Sequence, residues 1–411
     1  MSRSSMGKRI RRCTQTCSQN VVLSNDDLLT SILLHVPWTQ LKVLKRVSRQ
    51  WRSLITTSHF RSLVSPLRAS GLFLQAHPDD FGDISYANKV YFIPLHDSEK
   101  ASPFETRGFG NDHNDHENFC ILQSCNGLLL CSNVSGTQCF VYNPSNNQVD
   151  SLPKQPLGTG DNFRHVGLSF NPLKSLHYKV VAVVSRPRPQ LRYERDFYIY
   201  SSETKTWELS EQSFISDPWM CSSNGVYWNG SMHWLSTMHQ DLEPDSSVSV
   251  CLYFNVDEER LGTFPRPPIG ARSRSRMSLY FGESEDHLHV IEASATSLSV
   301  YEMKSDYSMW FSKYQIDLDP ISRAFPEIQE KNIFEYQNDY AVKVLSLIRR
   351  EKIHEDSFLV LQIPGKVIRY NLMDSSFKLI WDFGVDLDLD PNINDDLVFD
   401  FQVCQYIESL S

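Results

Sequence analysis

Residues 124–150 read SCNGLLLCSNVSGTQCFVYNPSNNQVD, and the fold of most of the chain follows from how this stretch alternates. Ser124-Cys125-Asn126-Gly127 is a turn signal, because Asn and Gly tolerate the left-handed backbone of tight turns. It leads into an apolar run of strand length at 128–132, and a second run follows at 139–143. That second run ends in Tyr142. A polar stretch then returns the chain to apolar Val149, seven positions on. This is the pattern of a hairpin: the aromatic packs between sheets, the turn stays wet, and the return strand buries its partner.

The phrase recurs. Tyr200 with Trp207, Phe254 with Leu261 and Tyr370 with Phe377 repeat the spacing, and Tyr301 reaches Trp310 with two extra residues. Ser222-Ser223-Asn224-Gly225 echoes the opening turn, and Met232-His233-Trp234-Leu235 parallels Leu288-His289-Val290-Ile291. Strand-like runs at 71–76, 89–95, 128–132, 139–143, 179–185, 196–200, 249–255, 288–292, 298–302, 358–362 and 367–371 are separated by turns rich in Asn, Gly, Ser, Asp and Pro. The anchor aromatics lie 58, 54, 47 and 69 residues apart. An irregular period of that size favours radial repetition, a β-propeller, over a single sandwich. No Gly-Gly doublet marks each repeat, so residues 71–405 are expected to hold six or seven blades at about 45–55 residues each. The run 398–406 is expected to pair into the first blade and close the ring, which removes exposed sheet edges.

The N-terminal texture is different. Residues 23–55, LSNDDLLTSILLHVPWTQLKVLKRVSRQWRSLI, carry three helix signals. Ser24 with Asp27 reads as an N-cap with its capping-box partner. Leu28, Leu29, Ile32, Leu33 and Val36 then form one apolar stripe, and Pro37 stops the helix. Leu41, Leu44, Val47, Trp51, Leu54 and Ile55 form a second stripe, with Ser48 placed to cap a third helix. Three helices this short cannot bury both stripes against one another, so apolar surface remains for a partner. The fold class is therefore α+β and multidomain: a basic tail at 1–20, expected to be disordered, a three-helix module at 21–65, and a large mainly-β, propeller-like domain at 71–405.

These residues resemble an F-box. The matches are Leu23, Asp26 and Asp27, Leu28, Ile32-Leu33, Val36-Pro37, Leu41, Val47-Ser48, Trp51-Arg52 and Leu54-Ile55, with Ser24 where the family usually has Pro. The second region resembles the F-box-associated, kelch-related domain of a large plant receptor family, through Asn126-Gly127-Leu128-Leu129, Tyr142-Asn143-Pro144, Trp207 and the closing Tyr406-Ile407-Glu408-Ser409-Leu410. The resemblance implies the substrate-recognition subunit of a Skp–cullin–F-box ubiquitin ligase. Such a subunit docks the Skp-type adaptor, and through it the cullin and RING subunits, with Leu23, Leu28, Ile32, Leu33, Val36, Pro37, Leu41, Val47 and Trp51. It holds a target for ubiquitination and degradation and performs no bond chemistry itself. A rival from another class is a propeller that binds its own ligand, as a lectin does, with the helical module only a tether. An enzyme on the propeller is a third.

Charge separates the parts. Residues 1–65 carry a net +9 and the remainder −18. The acidic large region argues against bulk nucleic-acid binding. Lys42, Lys45, Arg46, Arg49 and Arg52 form the kind of stripe a helix-turn-helix DNA reader presents, but a solvated helix face explains them as well. Lys8-Arg9-Ile10-Arg11-Arg12 reads as a disordered basic tail or a nuclear-import tag. No run approaches the roughly 18 apolar residues of a membrane span. Nine cysteines without C-x-x-C read as reduced, which suits an intracellular protein of the nucleus or cytoplasm.

Other constellations are weaker. His113 and His116 with Asp112, Asp115, Glu117 and Cys120 have the composition of a metal site but no periodicity to fix its geometry. His287 and His289 alternate along a strand without an indicated third ligand. Asp386, Asp388 and Asp390 open like a calcium loop, which then fails at Pro391 and Leu397. No P-loop, dinucleotide fingerprint or nucleophile elbow occurs, so no cofactor is expected. Two arginine clusters stand against the acidic background and are expected in substrate-facing loops: Arg186, Arg188 and Arg192, and Arg266, Arg272, Arg274 and Arg276.

Overall fold

The computed structural model describes residues 25–36, 38–57, 59–60, 63, 69–76, 90–95, 119–133, 136–154, 166–188, 192–216, 225–235, 251–269, 279–294, 296–329, 341–350, 356–386 and 401–407. The chain divides into two compact units, a helical one within residues 1–66 and a β one within residues 67–409.

The helical unit consists of α1 (Asp26–Leu33), α2 (Trp38–Leu44) and α3 (Arg49–Thr56). The cap of α1 is Asn25 and not Ser24, which lies outside the described residues. Asn25 Oδ1 accepts from the backbone N–H of Asp27 at 3.0 Å and of Leu28 at 3.2 Å. Asn serves this role as well as Ser, so the helix starts one residue later than the sequence suggests. Ser48 caps α3 as expected, accepting from the Trp51 N–H at 3.1 Å. Leu29, Leu33, Leu41, Ile55 and Phe60 form the unit's buried core.

The β unit is a propeller of six blades, each one sheet. Blade 1 combines β1 (Ala69–Ala76) and β2 (Val90–Pro94) with the last strand, β23 (Phe401–Ile407), in the order β2-β1-β23. Blade 2 contains β3 (Phe119–Cys125), β4 (Leu128–Asn133), β5 (Cys139–Asn143) and β6 (Gln148–Ser151). Blade 3 contains β7 (Val166–Ser169), β8 (Lys179–Arg188), β9 (Arg192–Ser201) and β10 (Thr206–Ser216). Blade 4 contains β11 (Val226–Trp228), β12 (Ser231–Trp234), β13 (Cys251–Asn255) and β14 (Arg260–Phe264). Blade 5 contains β15 (Leu279–Ser284), β16 (His287–Ala293), β17 (Ser297–Met303) and β18 (Trp310–Asp317). Blade 6 contains β19 (Lys343–Ile348), β20 (Phe358–Ile363), β21 (Lys366–Asn371) and β22 (Phe377–Asp382). Two short helices, α4 (Asp319–Ala324) and α5 (Phe383–Asp386), follow blades 5 and 6.

Strands β23, β3, β7, β11, β15 and β19 adjoin one another in turn and return to β23, so they surround the axis. The final strand therefore closes the ring, pairing with β1 from Phe401 opposite Ala76 to Tyr406 opposite Gly71. The core is divided among the seams. Leu130, Val141, Leu168 and Val180 pack between blades 2 and 3, and Val181, Phe197, Met232 and Phe254 between blades 3 and 4. Each remaining seam has its own apolar cluster.

The hairpin phrase has a uniform register. Tyr142 pairs with Val149, Tyr200 with Trp207, Phe254 with Leu261 and Tyr370 with Phe377. In blade 5 the anchor is Met303, which pairs with Trp310, whereas Tyr301 lies opposite Ser312. The spacing of seven is thus kept there too, and what differs is that the anchor is not aromatic. The counterpart of the Asn126-Gly127 turn is Asn229-Gly230, not Asn224-Gly225. Both pairs have positive φ at both residues, 47° and 94° in the first and 47° and 74° in the second, as type I′ hairpins require. Gly225 instead leads into β11.

Candidate functional site

In the helical unit the structure divides the residues that the F-box resemblance singles out. Leu33 and Leu41 are fully buried in the unit's own core, so they cannot meet a partner without opening it. Leu28, Ile32 and Val47 face solvent, 45%, 49% and 59% exposed, and Val36 and Trp51 are half-buried. Leu23 and Pro37 lie outside the described residues. Leu28 and Ile32 sit one turn apart on α1 and continue as one strip, because i and i+4 share a face. Gln50 Nε2 donates to Asp26 Oδ1 at 2.9 Å, tying the start of α3 to the start of α1. The result is a small helical unit with a filled core and a second apolar face turned outward.

In the propeller, the strands nearest the axis all point the same way. Connections between first and second strands, and between third and fourth, therefore fall on one rim. Those between second and third strands, and between blades, fall on the other. The ends of β8 and β9 and the ends of β14 and β15 belong to this second rim, and these are the ends that the two arginine-bearing segments join. The first segment is not the open loop that its composition suggests. Strands β8 and β9 stay paired out to Arg188 opposite Arg192. Arg186 lies within β8, ion-paired to Asp196 and 4.0 Å from Glu194, so it is engaged inside the sheet. The side chains of Arg188 and Arg192 lie outside the described set. Arg266 is half-buried just after β14, and Arg272, Arg274 and Arg276 fall outside the described residues.

On the axis, a cavity of about 190 Å³ is lined by residues of five blades, among them Gln123, Tyr227, Tyr280, Glu283, Ser346 and Gln405. Its amides are committed to other blades. Gln123 Nε2 donates to the Gly225 carbonyl at 2.9 Å while its Oε1 accepts from the Leu168 N–H at 2.6 Å. Gln405 Nε2 donates to Ser346 Oγ at 2.9 Å. Burial pushes the Glu283 carboxyl up to about 7, although the Asp286 N–H that it accepts at 2.6 Å acts against this. The axial cavity is thus a polar lock.

His287 and His289 do share a face, and they converge on Glu302, the residue opposite His289 in the next strand. His287 Nδ1 lies 3.2 Å from Glu302 Oε1, and His289 Nε2 lies 3.3 Å from Oε2. Arg349, just after β19, reaches the same Oε2 at 2.7 Å, and Lys313 comes within 3.4 Å. Burial raises the Glu302 pKa, but hydrogen bonds from both histidines and Arg349 outweigh it and hold the carboxyl well below its usual range. Burial lowers the His289 pKa, with Glu302 acting against it. Two fixed cations beside one carboxylate repel a metal ion. Among the described residues no group of three or more His, Cys, Asp or Glu is placed to hold one. Glu302 and Arg349 are absent from the sequence reading. The signal for Glu302 was the strand register that sets it opposite His289. His113, His116, Asp388 and Asp390 lie outside the described residues.

A short helical unit with an unfilled apolar face, followed by a closed six-bladed propeller, defines a class. Residues 85–410 match the F-box associated beta propeller domain, and the chain belongs to the F-box proteins that carry this domain. It is similar to F-box protein At5g07610 of Arabidopsis thaliana, 31% identical over 96% of this chain and 93% of the relative. It is also similar to F-box/kelch-repeat protein At3g23880 of the same plant, 25% identical over 62% of this chain and 68% of that one. F-box protein At3g07870 is 24% identical over 62% and 63%.

Proposed function

We propose that this chain is the substrate-recognition subunit of a Skp–cullin–F-box ubiquitin ligase, without catalytic chemistry of its own. The observation that carries the reading is the outward apolar strip of Leu28 and Ile32 on a helical unit whose core is already complete. Burying that strip against an adaptor supplies about 25 cal/mol per Å² of apolar surface removed from water. The adaptor joins the chain to a cullin and a RING subunit, and the propeller holds a target protein. Rate then comes from proximity: target lysines are kept at high effective concentration beside the charged conjugating enzyme. The setting proposed is the nucleus or cytoplasm.

The test is co-purification of a Skp-type adaptor with Leu28→Asp/Ile32→Asp. Both residues are exposed, so the variant should keep its helical circular dichroism and lose the adaptor. Undiminished adaptor capture by a folded double variant would end this reading. Deleting residues 1–65 should also lengthen the half-life of any protein the propeller binds. An unchanged half-life would favour the tether reading.

A further inference from the structure

Among the described residues, the outermost strand of each blade leaves one row of backbone N–H and C=O groups without a sheet neighbour, and proteins guard such edges with brevity, charge (lysine above all), bulges or proline. Five of the six outer strands are guarded by brevity, a cation or proline. β6 has four residues, β2 has five and ends in Pro94, and β14, β18 and β22 carry Arg260, Lys313 and Lys378. β10 is not. It is eleven residues long, TWELSEQSFIS, with no Lys, Arg or Pro. Among the described residues it pairs with β9 alone.

Two anchors hold β10 in place. Trp207 packs on Tyr200 with ring centroids 5.4 Å apart, and Phe214 on Phe197 at 5.6 Å. Leu209 and Ile215 stay outside, 56% and 61% exposed. β8 and β9 have ten residues each, so blade 3 extends beyond every other blade, whose strands reach at most eight. A bulge between Leu209 and Ser213 divides the edge into two runs, 206–209 and 213–216.

We propose that β10 is a strand-addition site, and that its occupant is an extended segment of a partner protein in which basic and apolar side chains alternate. Backbone pairing would supply affinity, and the strand's side chains would select. The only charged residues of β10 are Glu208 and Glu211, which calls for a cationic partner. The same charges disfavour a second copy of this chain. Antiparallel pairing of two β10 edges about their midpoint sets Glu211 against Glu211, and like charges directly opposed are destabilising. The inference extends the target-holding role proposed above. It is read on the chain alone, without adaptor, so its failure is distinguishable from failure of the adaptor reading.

The probe is a labelled, end-blocked heptapeptide alternating lysine and valine, titrated against the full chain by fluorescence anisotropy. A control peptide of the same sequence carries N-methyl groups on alternate amides, which blocks strand pairing and keeps the charge. The expected result is saturable binding that weakens about tenfold or more with the control peptide. It should weaken comparably with Glu211→Lys/Ile215→Lys, two exposed changes that give β10 the cationic guard that β14, β18 and β22 carry. Amide hydrogen exchange should slow within 206–216 when peptide is added. Equal binding of the N-methylated peptide would reduce the effect to charge attraction and overturn the proposal. So would undiminished binding to the double variant, no binding up to about millimolar peptide, or a self-association that the double variant abolishes.

Discussion

The imidazole of His233 meets the phenol of Tyr307 across the seam between blades 4 and 5, with Nε2 2.9 Å from the hydroxyl oxygen. Tyr307 comes from the turn between β17 and β18, where its φ of 59° puts a bulky side chain in the left-handed region. Its ring stacks on Tyr253 with centroids 4.6 Å and planes 6° apart. A turn residue of one blade is thereby built into the next, and His233, fully buried beneath it, is held neutral.

Burial lowers the His233 pKa to about 4, with the Val226 and Ser231 carbonyls opposing the shift. The unfolded chain takes up a proton near pH 6.5, the folded chain only near 4, so the stability that neutral His233 provides is complete above 6.5 and is lost as pH falls to 4. The loss amounts to about 3 kcal/mol over that window. Glu283, pushed up to about 7, has the opposite sign: its contribution is complete below the unfolded carboxylate pKa and is lost as pH rises towards 7. The clean readout is therefore the difference in urea stability between wild type and His233→Phe. That difference should shrink as pH falls from 6.5 to 4, and a pH-independent difference would contradict the assignment.

Ring closure by β23 gives a second prediction. Gln405→Leu leaves Ser346 Oγ and the Leu347 carbonyl without their donor, which should cost about 1–3 kcal/mol. A chain ending at residue 400 loses the innermost strand of blade 1 and exposes an edge of β1. It should unfold over a broad urea range instead of one cooperative transition.

Four outer hairpins place a non-glycine residue at positive φ five positions after the anchor: Asn147, Lys205, Glu259 and Ser375. All four are exposed, but Asn147 accepts from the Tyr142 hydroxyl and Lys205 holds Asp150, so Glu259→Gly is the cleaner change. It should relieve the backbone and raise stability by up to about 1 kcal/mol in a thermal melt. Gly230→Ala, at φ 74° in open space, should cost about the same, by backbone conformation alone.

The helical unit should respond in two different ways. Leu33→Ala empties a fully buried site and should cost about 2–5 kcal/mol, with loss of helical signal from residues 26–56. Ile32→Ala should leave that signal unchanged. Hydrogen exchange resolved by peptide would separate the two.

The strands legible in the sequence were chiefly the second and third of each blade, such as β4, β8, β16, β17, β20 and β21. These lie between two neighbours in their own sheet and between two seams, so both faces are apolar and the run is continuous, as in the fully buried β20, FLVLQI. The outer strands β6 and β14 are half wet, and the axial strands carry Gln123, Gly167 and Gln405, which meet other blades. Neither pattern reads as a strand without the ring. Met303 hid blade 5's anchor because it fills an aromatic's place without looking like one. The apolar positions of the helical unit were legible as a set, but the stripe alone could not separate Leu33 and Leu41, which face inward, from Leu28 and Ile32, which face out. For the arginines the limit was register: pairing across β8 and β9 turns a basic loop into the end of a sheet.

Blade 1 draws strands from both ends of the β region, β1 and β2 near its start and β23 at its close. During synthesis the helical unit emerges first and completes its core early, while the propeller waits for residues 401–407 to leave the ribosome. A chain stopped between the helical unit and those residues keeps the helical core but has an open ring. The late position of β23 thus makes one seven-residue strand a condition for closing all six blades.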